Sequence, residues 1–207
     1  MSKYSLTYFD IQGRAEPIRI ALAYAGNDFE DKRISFEEWG KMKADTPQGS
    51  LPVCSIDGEV FWQSTAILRN IAREFDLYGK TNKEMTTVDI VISNFEEFFD
   101  KSAQVFMQHD PEKKEELSKE FGEKVVQPVK LFNKLLTENK NGGWLVGPQL
   151  TVADIVCFCM FRDLKDMFGE EVAKAYLDDK TLVAHIAKIE AEPAIKKWVE
   201  KRPKAIF

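Results

Sequence analysis

Hydrophobic periodicity changes once along this chain, near residues 76–84, and that change limits the folds open to it. Before it, short runs that alternate at period two are interleaved with helical stretches. After it, apolar residues recur only at three- and four-residue steps. "YSLTYF" reads as a strand, and "AEPIRIALAYAG" as a helix with Pro17 in its first turns and Gly26 at its stop. "FEDKRI" reads as a second strand, and "SFEEWGKMKADTPQGS" as an irregular stretch with room for a short helix. "LPVCSIDGEVFW" predicts a hairpin about Asp57-Gly58, and "STAILRNIAREF" a helix with Ser64 as its N-cap. The order β-α-β-(α)-β-β-α makes residues 1–78 a small α/β domain.

Residues 84–109, 112–138, 151–168, 178–191 and 194–201 carry helical periodicity. In the first of these Val88, Ile92, Phe95, Phe99, Ser102 and Phe106 recur on one face. Thr151 and Asp154 stand at capping-box spacing, with Leu150 and Ile155 at the spacing of a hydrophobic staple. Residues 84–207 are therefore expected to form an all-helical domain, and the fold class is α/β plus all-α.

Composition narrows the function. The 207 residues are enough for two small domains with real cores, and the net charge of −5 comes with both signs spread along the chain. Without a basic stripe, no nucleic-acid partner is expected. The N-terminus has no apolar signal region and no run is long enough to span a membrane, so a cytoplasmic protein without a membrane partner is expected. Cys54, Cys157 and Cys159 are an odd number without a C-x-x-C, and "CFC" lies in an apolar run, so buried, inert thiols are expected. Zinc spacings, a Walker loop and a nucleophile elbow are all missing, and His109 and His185 stand apart from any triad, so no metal is expected.

Five places can carry chemistry, each with a plain alternative. Tyr8 ends the first strand, with Arg14 in the turn beyond it. It is either a packing tyrosine with a polar handle or a hydroxyl aimed at a developing anion beside a cation. "GSLPV", residues 49–53, contains Pro52 at a strand start; a cis Leu51–Pro52 bond would leave the Leu51 backbone open to an extended peptide-like ligand. In "WQSTA" a strand ends at Gln63 and a helix begins at Ser64. That is an anion site or ordinary capping. Trp39 and Lys43, four apart, offer an indole N–H and an ammonium to an anion, or a tryptophan packed under a lysine stem. Glu97 in "FEEFF" is a further candidate, or part of a solvated acidic edge.

Taken in order, "YSLTYFDIQGRAEPIR", Trp39, Lys43, "GSLPV", "WQSTAILR" and "GPQLTVAD" resemble a cytosolic glutathione transferase. The resemblance runs from about residue 3 to Phe207 and is closest to the sigma class, which includes glutathione-dependent prostaglandin D synthases and related invertebrate enzymes. It implies a thioredoxin-like domain holding glutathione, a helical domain supplying most of an electrophile pocket, and a homodimer. Tyr8 and Arg14 match the catalytic pair: a tyrosine donating to the glutathione sulfur and an arginine supporting it. Trp39 and Lys43 match residues at the glycine end, and Leu51 before Pro52 matches the backbone partner of the cysteinyl part. Gln63 and Ser64 match the γ-glutamyl pair, and Glu97 an acidic residue reaching across the dimer. Gly49, Ser50 and Pro52 complete the expected glutathione site. Phe9, Ile11, Gly13, Phe99, Phe106, Val156, Met160 and Phe207 fall near electrophile-pocket positions.

Three departures stand out: Ser50 where the family often has Lys or Gln, Glu97 for a more usual Asp, and Gln104 where the prostaglandin synthases carry a pocket tryptophan. The activity implied is addition of glutathione thiolate to small apolar electrophiles, with hydroperoxide reduction open to the same thiolate. Glutathione would be the co-substrate, with no separate cofactor. The alternatives are a prostaglandin D synthase-type isomerase or a carrier of apolar ligands such as haem.

Overall fold

The computed structural model describes residues 2–204. Strand β1, Tyr4–Phe9, alternates as its sequence demands: Tyr4, Leu6 and Tyr8 are buried, while Ser5, Thr7 and Phe9 are less so. A loop and a single turn of 3-10 helix, Gly13–Ala15, lead into α1, Glu16–Tyr24, with Pro17 in its first turn where no N–H is missed. Strand β2, Phe29–Ile34, runs parallel to β1, with Tyr8 opposite Arg33. The irregular stretch contains α2, Phe36–Met42, started by a reciprocal capping box between Ser35 and Glu38. Strands β3, Val53–Ile56, and β4, Glu59–Trp62, form the expected hairpin, and β3 pairs antiparallel to β1. The sheet order is β2-β1-β3-β4. With α3, Ser64–Glu74, packed against α1, it makes a thioredoxin-like α/β domain.

Ser64 is not the N-cap of α3. Gln63 takes that position with φ +68, and Ser64 is the first helical residue. A left-handed backbone at Gln63 turns the chain sharply from strand to helix, so the hydroxyl that a normal entry would use as a cap lies one residue inside.

The second compact unit, Leu77–Glu192, is helical. It contains α4, Asn82–Met107; α5, Pro111–Glu138; α6, Val152–Phe161; α7, Leu164–Phe168; α8, Glu170–Asp178; and α9, Lys180–Glu190. Its core is aromatic. Phe98 meets Phe121 and Phe161 edge-on, and Phe161 meets Phe132 edge-on and stacks on Tyr176. The capping box of α6 is present in both directions, and Leu150 and Ile155 are both buried. The expected helix over 151–168 breaks after Phe161, where Arg162 pairs with Asp163 and Glu190. The structure also adds α8, whose buried residues Val172, Ala173 and Tyr176 share one face.

His185 is not isolated: its Nε2 lies 2.9 Å from Asp154 Oδ1, and both side chains are buried. No helix among the described residues is long and apolar enough to cross a membrane.

Helix α10, Pro193–Lys201, belongs to the same compact unit as residues 1–76, packing on α1. The sequence reading places it with the helical domain. Its attachment is polar as well as apolar: Trp198 Nε1 donates to Glu16, and Arg202 pairs with the same carboxylate.

Candidate active site

The register of β1 puts Tyr8 on the face of the strand that also buries Tyr4 and Leu6, and its ring is only 5% exposed. The Arg14 backbone N–H donates to the Tyr8 hydroxyl oxygen at 3.3 Å. Burial pushes the Tyr8 phenol above its ordinary pKa, and the Arg14 N–H together with the charges of Arg14 and Arg19 act in the opposite direction. At neutral pH the group is thus a protonated phenol, able to donate. Gly13 is required beside it. Its φ is +45, and a Cβ there would lie 2.8 Å from the Tyr8 hydroxyl.

Sequence reasoning missed Arg19. Its side chain is completely buried in α1. It donates to Asp31 Oδ1 at 2.8 Å, to the Ile11 carbonyl at 2.8 Å, to the Gln12 carbonyl at 3.2 Å and to Glu16 Oε2 at 3.3 Å. Its Cζ lies 5.8 Å from the centre of the Tyr8 ring, within cation–π range. The signal was in "EPIRIALAY", where an arginine sits one turn after Glu16 in a helix whose other buried residues are all apolar. Such a charge can only be buried with partners.

Trp39 and Phe36 sit on α2, and both rings contact Phe9: Phe36 stacks at 4.7 Å and Trp39 meets it edge-on at 6.0 Å. Phe9 in turn contacts Tyr8 at 5.5 Å. Lys43 follows α2, and its side chain would lie 3.6 Å from a Cβ on Gly49. Turn hydrogen bonds from Thr46 to Lys43 and from Gly49 to Thr46 hold the two together. Ser50 beyond them is exposed.

The Leu51–Pro52 bond is cis, and β3 pairs with β1 and β4 only from Val53 onward. Gln63 is exposed and donates to Gln48 Oε1 at 2.6 Å, while Ser64 is 7% exposed at the N-terminus of α3. Ile11 is half-buried in the loop after β1.

In the helical unit, Glu97 is exposed on α4 and lines a groove of about 320 Å³ with Phe98, Lys101, Gln104, Phe121 and Lys124. Phe99 is half-buried and Phe106 is 43% exposed. Val156 and Met160 correct the expectation for them. At 0% and 1% exposure they belong to the core of α6 and have no surface to offer a ligand. Every residue of "VADIVCFCMF" except Cys159 is buried, so this helix is enclosed on all sides. Phe207 lies outside the described residues.

Comparison with known proteins agrees with this architecture. Residues 4–73 match the family model for the glutathione S-transferase N-terminal domain, and residues 96–202 that for the C-terminal domain. Glutathione S-transferase 3 of Caenorhabditis elegans is 36% identical, with all of both chains covered. Hematopoietic prostaglandin D synthase of Gallus gallus is 32% identical over 99% of this chain and 98% of its own. Among solved structures, a monomeric glutathione S-transferase of the hookworm Necator americanus superposes with a TM-score of 0.89 at 34% identity, covering 99% of this chain and all of that one. Two domain matches in the right order and whole-length similarity leave one assignment: this chain belongs to the glutathione S-transferase family.

Proposed function

We propose that this chain is a glutathione transferase in which Tyr8 donates its hydroxyl to the glutathione sulfur and stabilises the thiolate for attack on small apolar electrophiles. The observation that carries this reading is the Arg14 N–H on the Tyr8 oxygen. It fills an acceptor site and leaves the phenolic proton for a ligand. A thiol with a pKa of about 8.5 is only a few per cent thiolate at neutral pH. Lowering that pKa by about two units needs roughly 2.7 kcal/mol of preferential anion binding. A hydrogen bond to a charged acceptor contributes about 1.5–3 kcal/mol, so one O–H···S⁻ bond nearly suffices. Arg14 and Arg19 add a positive field.

Around that sulfur, Trp39 and Lys43 with Gly49 and Ser50 hold the glycine carboxylate. The Leu51 backbone before Pro52 pairs with the cysteinyl unit, and Gln63 with Ser64 holds the γ-glutamyl end. Phe9, Ile11 and Gly13 give the α/β domain an apolar flank for the electrophile, and Phe99 and Phe106 are the candidates in the helical domain. Glutathione serves as co-substrate without a separate cofactor, and the working form is a cytoplasmic homodimer in which Glu97 reaches the neighbouring γ-glutamyl site. Sedimentation distinguishes that dimer from a monomer such as the hookworm relative.

A second reading, isomerisation of a prostaglandin-type endoperoxide by the same thiolate, is favoured by the likeness to the Gallus gallus synthase. Gln104 counts against it, and product analysis with that substrate decides. The test of the main reading is the pH dependence of glutathione conjugation to chlorodinitrobenzene. The wild-type rate should hold down to about pH 6, and Tyr8→Phe should lose roughly 10- to 100-fold at neutral pH with glutathione binding retained. An unchanged rate in Tyr8→Phe rejects the role of Tyr8.

A further inference from the structure

The thiol site rests on a loop with little structure of its own. Between the end of β1 and the start of α1 the chain forms only a single 3-10 turn, yet it places both Gly13 and the Arg14 N–H against the Tyr8 hydroxyl. Two carbonyls of that loop, Ile11 and Gln12, accept from the same Arg19 nitrogen, Nη1. Arg19 Nε is held by Asp31 on β2, and Asp31 also takes Arg33 Nε at 2.8 Å. Arg33 Nη1 pairs with Asp10 at 3.1 Å, at the start of the loop.

On the other side Glu16 contacts Arg19 through one oxygen, and through the other it accepts from Trp198 Nε1 at 2.8 Å and pairs with Arg202. The charged groups packed around Arg19 are therefore Glu16 on α1, Asp31 and Arg33 on β2, Asp10 in the loop and Arg202 after α10. Arg19, Glu16 and Arg202 are at most 9% exposed.

A buried arginine with only one carboxylate would be a structural pair. This one is built differently: its fork is divided between two carboxylates, two loop carbonyls and the Phe9 carbonyl at the end of β1, and its plane lies by the Tyr8 ring. The N–H groups through which a guanidinium is anchored to its carboxylates also hold in place the other groups that accept from it. Here these include the backbone of the loop carrying the Arg14 N–H.

We propose that Arg19 is a positioning residue for thiolate formation, locking the β1–α1 loop against Tyr8, and that Glu16, Trp198 and Arg202 form the brace holding Arg19 in place. The proposal rests on the glutathione transferase reading above. It gives α10 a part in the chemistry although none of its side chains needs to touch a substrate. Loosening the brace would let the loop drift from Tyr8, weaken stabilisation of the sulfur anion and raise the pKa of the bound thiol. The consequence is selective: rates fall where the thiol must be ionised by the site and recover where alkali ionises it.

The test uses the full-length protein and three variants of graded severity. Trp198→Phe removes only the indole N–H, Glu16→Gln removes the charge between Arg19 and Arg202, and Arg19→Lys keeps a cation but loses the fork. Conjugation rates against pH, the KM for glutathione and the ultraviolet thiolate band of bound glutathione are measured for each, with Tyr8→Phe alongside. The expected result for Trp198→Phe and Glu16→Gln is a drop of about 3- to 10-fold near pH 6.5 that closes by about pH 9. The KM for glutathione should stay within about twofold, and the thiolate band should be weaker near neutral pH.

A lower melting temperature with an unshifted pH profile and thiolate band in these two variants overturns the proposal and leaves the network purely structural. Arg19→Lys, if it folds, should show the largest shift. If it does not fold, Trp198→Phe and Glu16→Gln decide alone. Should the wild-type protein show no conjugation, the transferase reading has failed, and should Tyr8→Phe keep the wild-type profile, the role given to Tyr8 has failed. A Tyr8→Phe effect with unshifted brace variants means that only the positioning role has.

Discussion

The two compact units bury charge for opposite purposes. In the α/β unit six charged side chains, Arg19, Arg33, Glu16, Asp31, Asp10 and Arg202, are linked in one network, and Arg19 at its centre is clamped onto loop carbonyls. In the helical unit Asp154 serves local architecture. It accepts from the Leu145 and Thr151 backbone N–H groups at 2.9 Å each and from the Thr151 hydroxyl at 3.2 Å, and it meets His185 Nε2 at 2.9 Å. Elsewhere in the unit the core is built of phenylalanine rings in edge-on contact. Buried charge is expensive unless paired and hydrogen-bonded. The α/β unit uses it to hold a loop no regular element could hold, and the helical unit to start one helix and tie it to α9.

Replacing Asp154 should have the largest effect. Asp154→Ala strands two buried N–H groups, the Thr151 hydroxyl and the His185 ring at once, so a loss of about 3–5 kcal/mol in urea unfolding is expected. Asp154→Asn keeps one acceptor and should recover part of it. A loss below about 1 kcal/mol would mean that water replaces the carboxylate, and the contrast between the units would collapse.

Next comes Gly13→Ala, which sharpens the contrast from the other side. The added methyl would approach the Tyr8 hydroxyl to 2.8 Å and its Cε1 to 2.9 Å, at a φ of +45. Something must move. Destabilisation of about 1–2 kcal/mol is expected from the left-handed backbone, with a roughly 10-fold fall in conjugation rate as Tyr8 shifts. If the rate falls while the melting temperature barely moves, the loop yields more easily than the buried network around it implies. Stability lost with the rate intact would show that the position of Tyr8 is held from elsewhere.

How much of this was legible follows from the range of the interactions. Strands β1 and β2 and the Asp57-Gly58 hairpin are written locally, in alternation and turn chemistry, and they occur where the sequence places them. The Thr151–Asp154 box is equally local. What the sequence could not show is long-range. Glu16 meets Trp198 and Arg202 across more than 180 residues, so nothing near Glu16 announces that α10 packs on α1. The Asp154–His185 contact, 31 residues apart, was hidden in the same way. Ser64 looked like a cap because the left-handed conformation of Gln63 has no sequence signature; glycine or asparagine would have been the usual sign. Val156 and Met160 were placed near the pocket by the family resemblance, and a resemblance does not reveal which helix is enclosed on all sides.

The smallest effect concerns the thiols, one buried in each unit. Burial pushes Cys54 from 9.0 up to about 12, and Cys157 is also raised, first by burial and then by the Asp154 charge. Both pKa values are higher folded than unfolded. Their contribution is complete below the unfolded pKa and is lost as pH rises through the folded one, because above 9 the unfolded thiol sheds its proton and the folded thiol does not. For Cys54 the loss at pH 10 should be on the order of 1 kcal/mol, read as a lower urea midpoint than at pH 8 that Cys54→Ala partly levels. Cys159, which is only half-buried, gives the internal control. In native protein at neutral pH a maleimide should modify Cys159 well before Cys54 or Cys157. Equal labelling of all three would show that both units open far more readily than their packing implies, whereas early labelling of Cys54 or of Cys157 alone would identify the unit that opens.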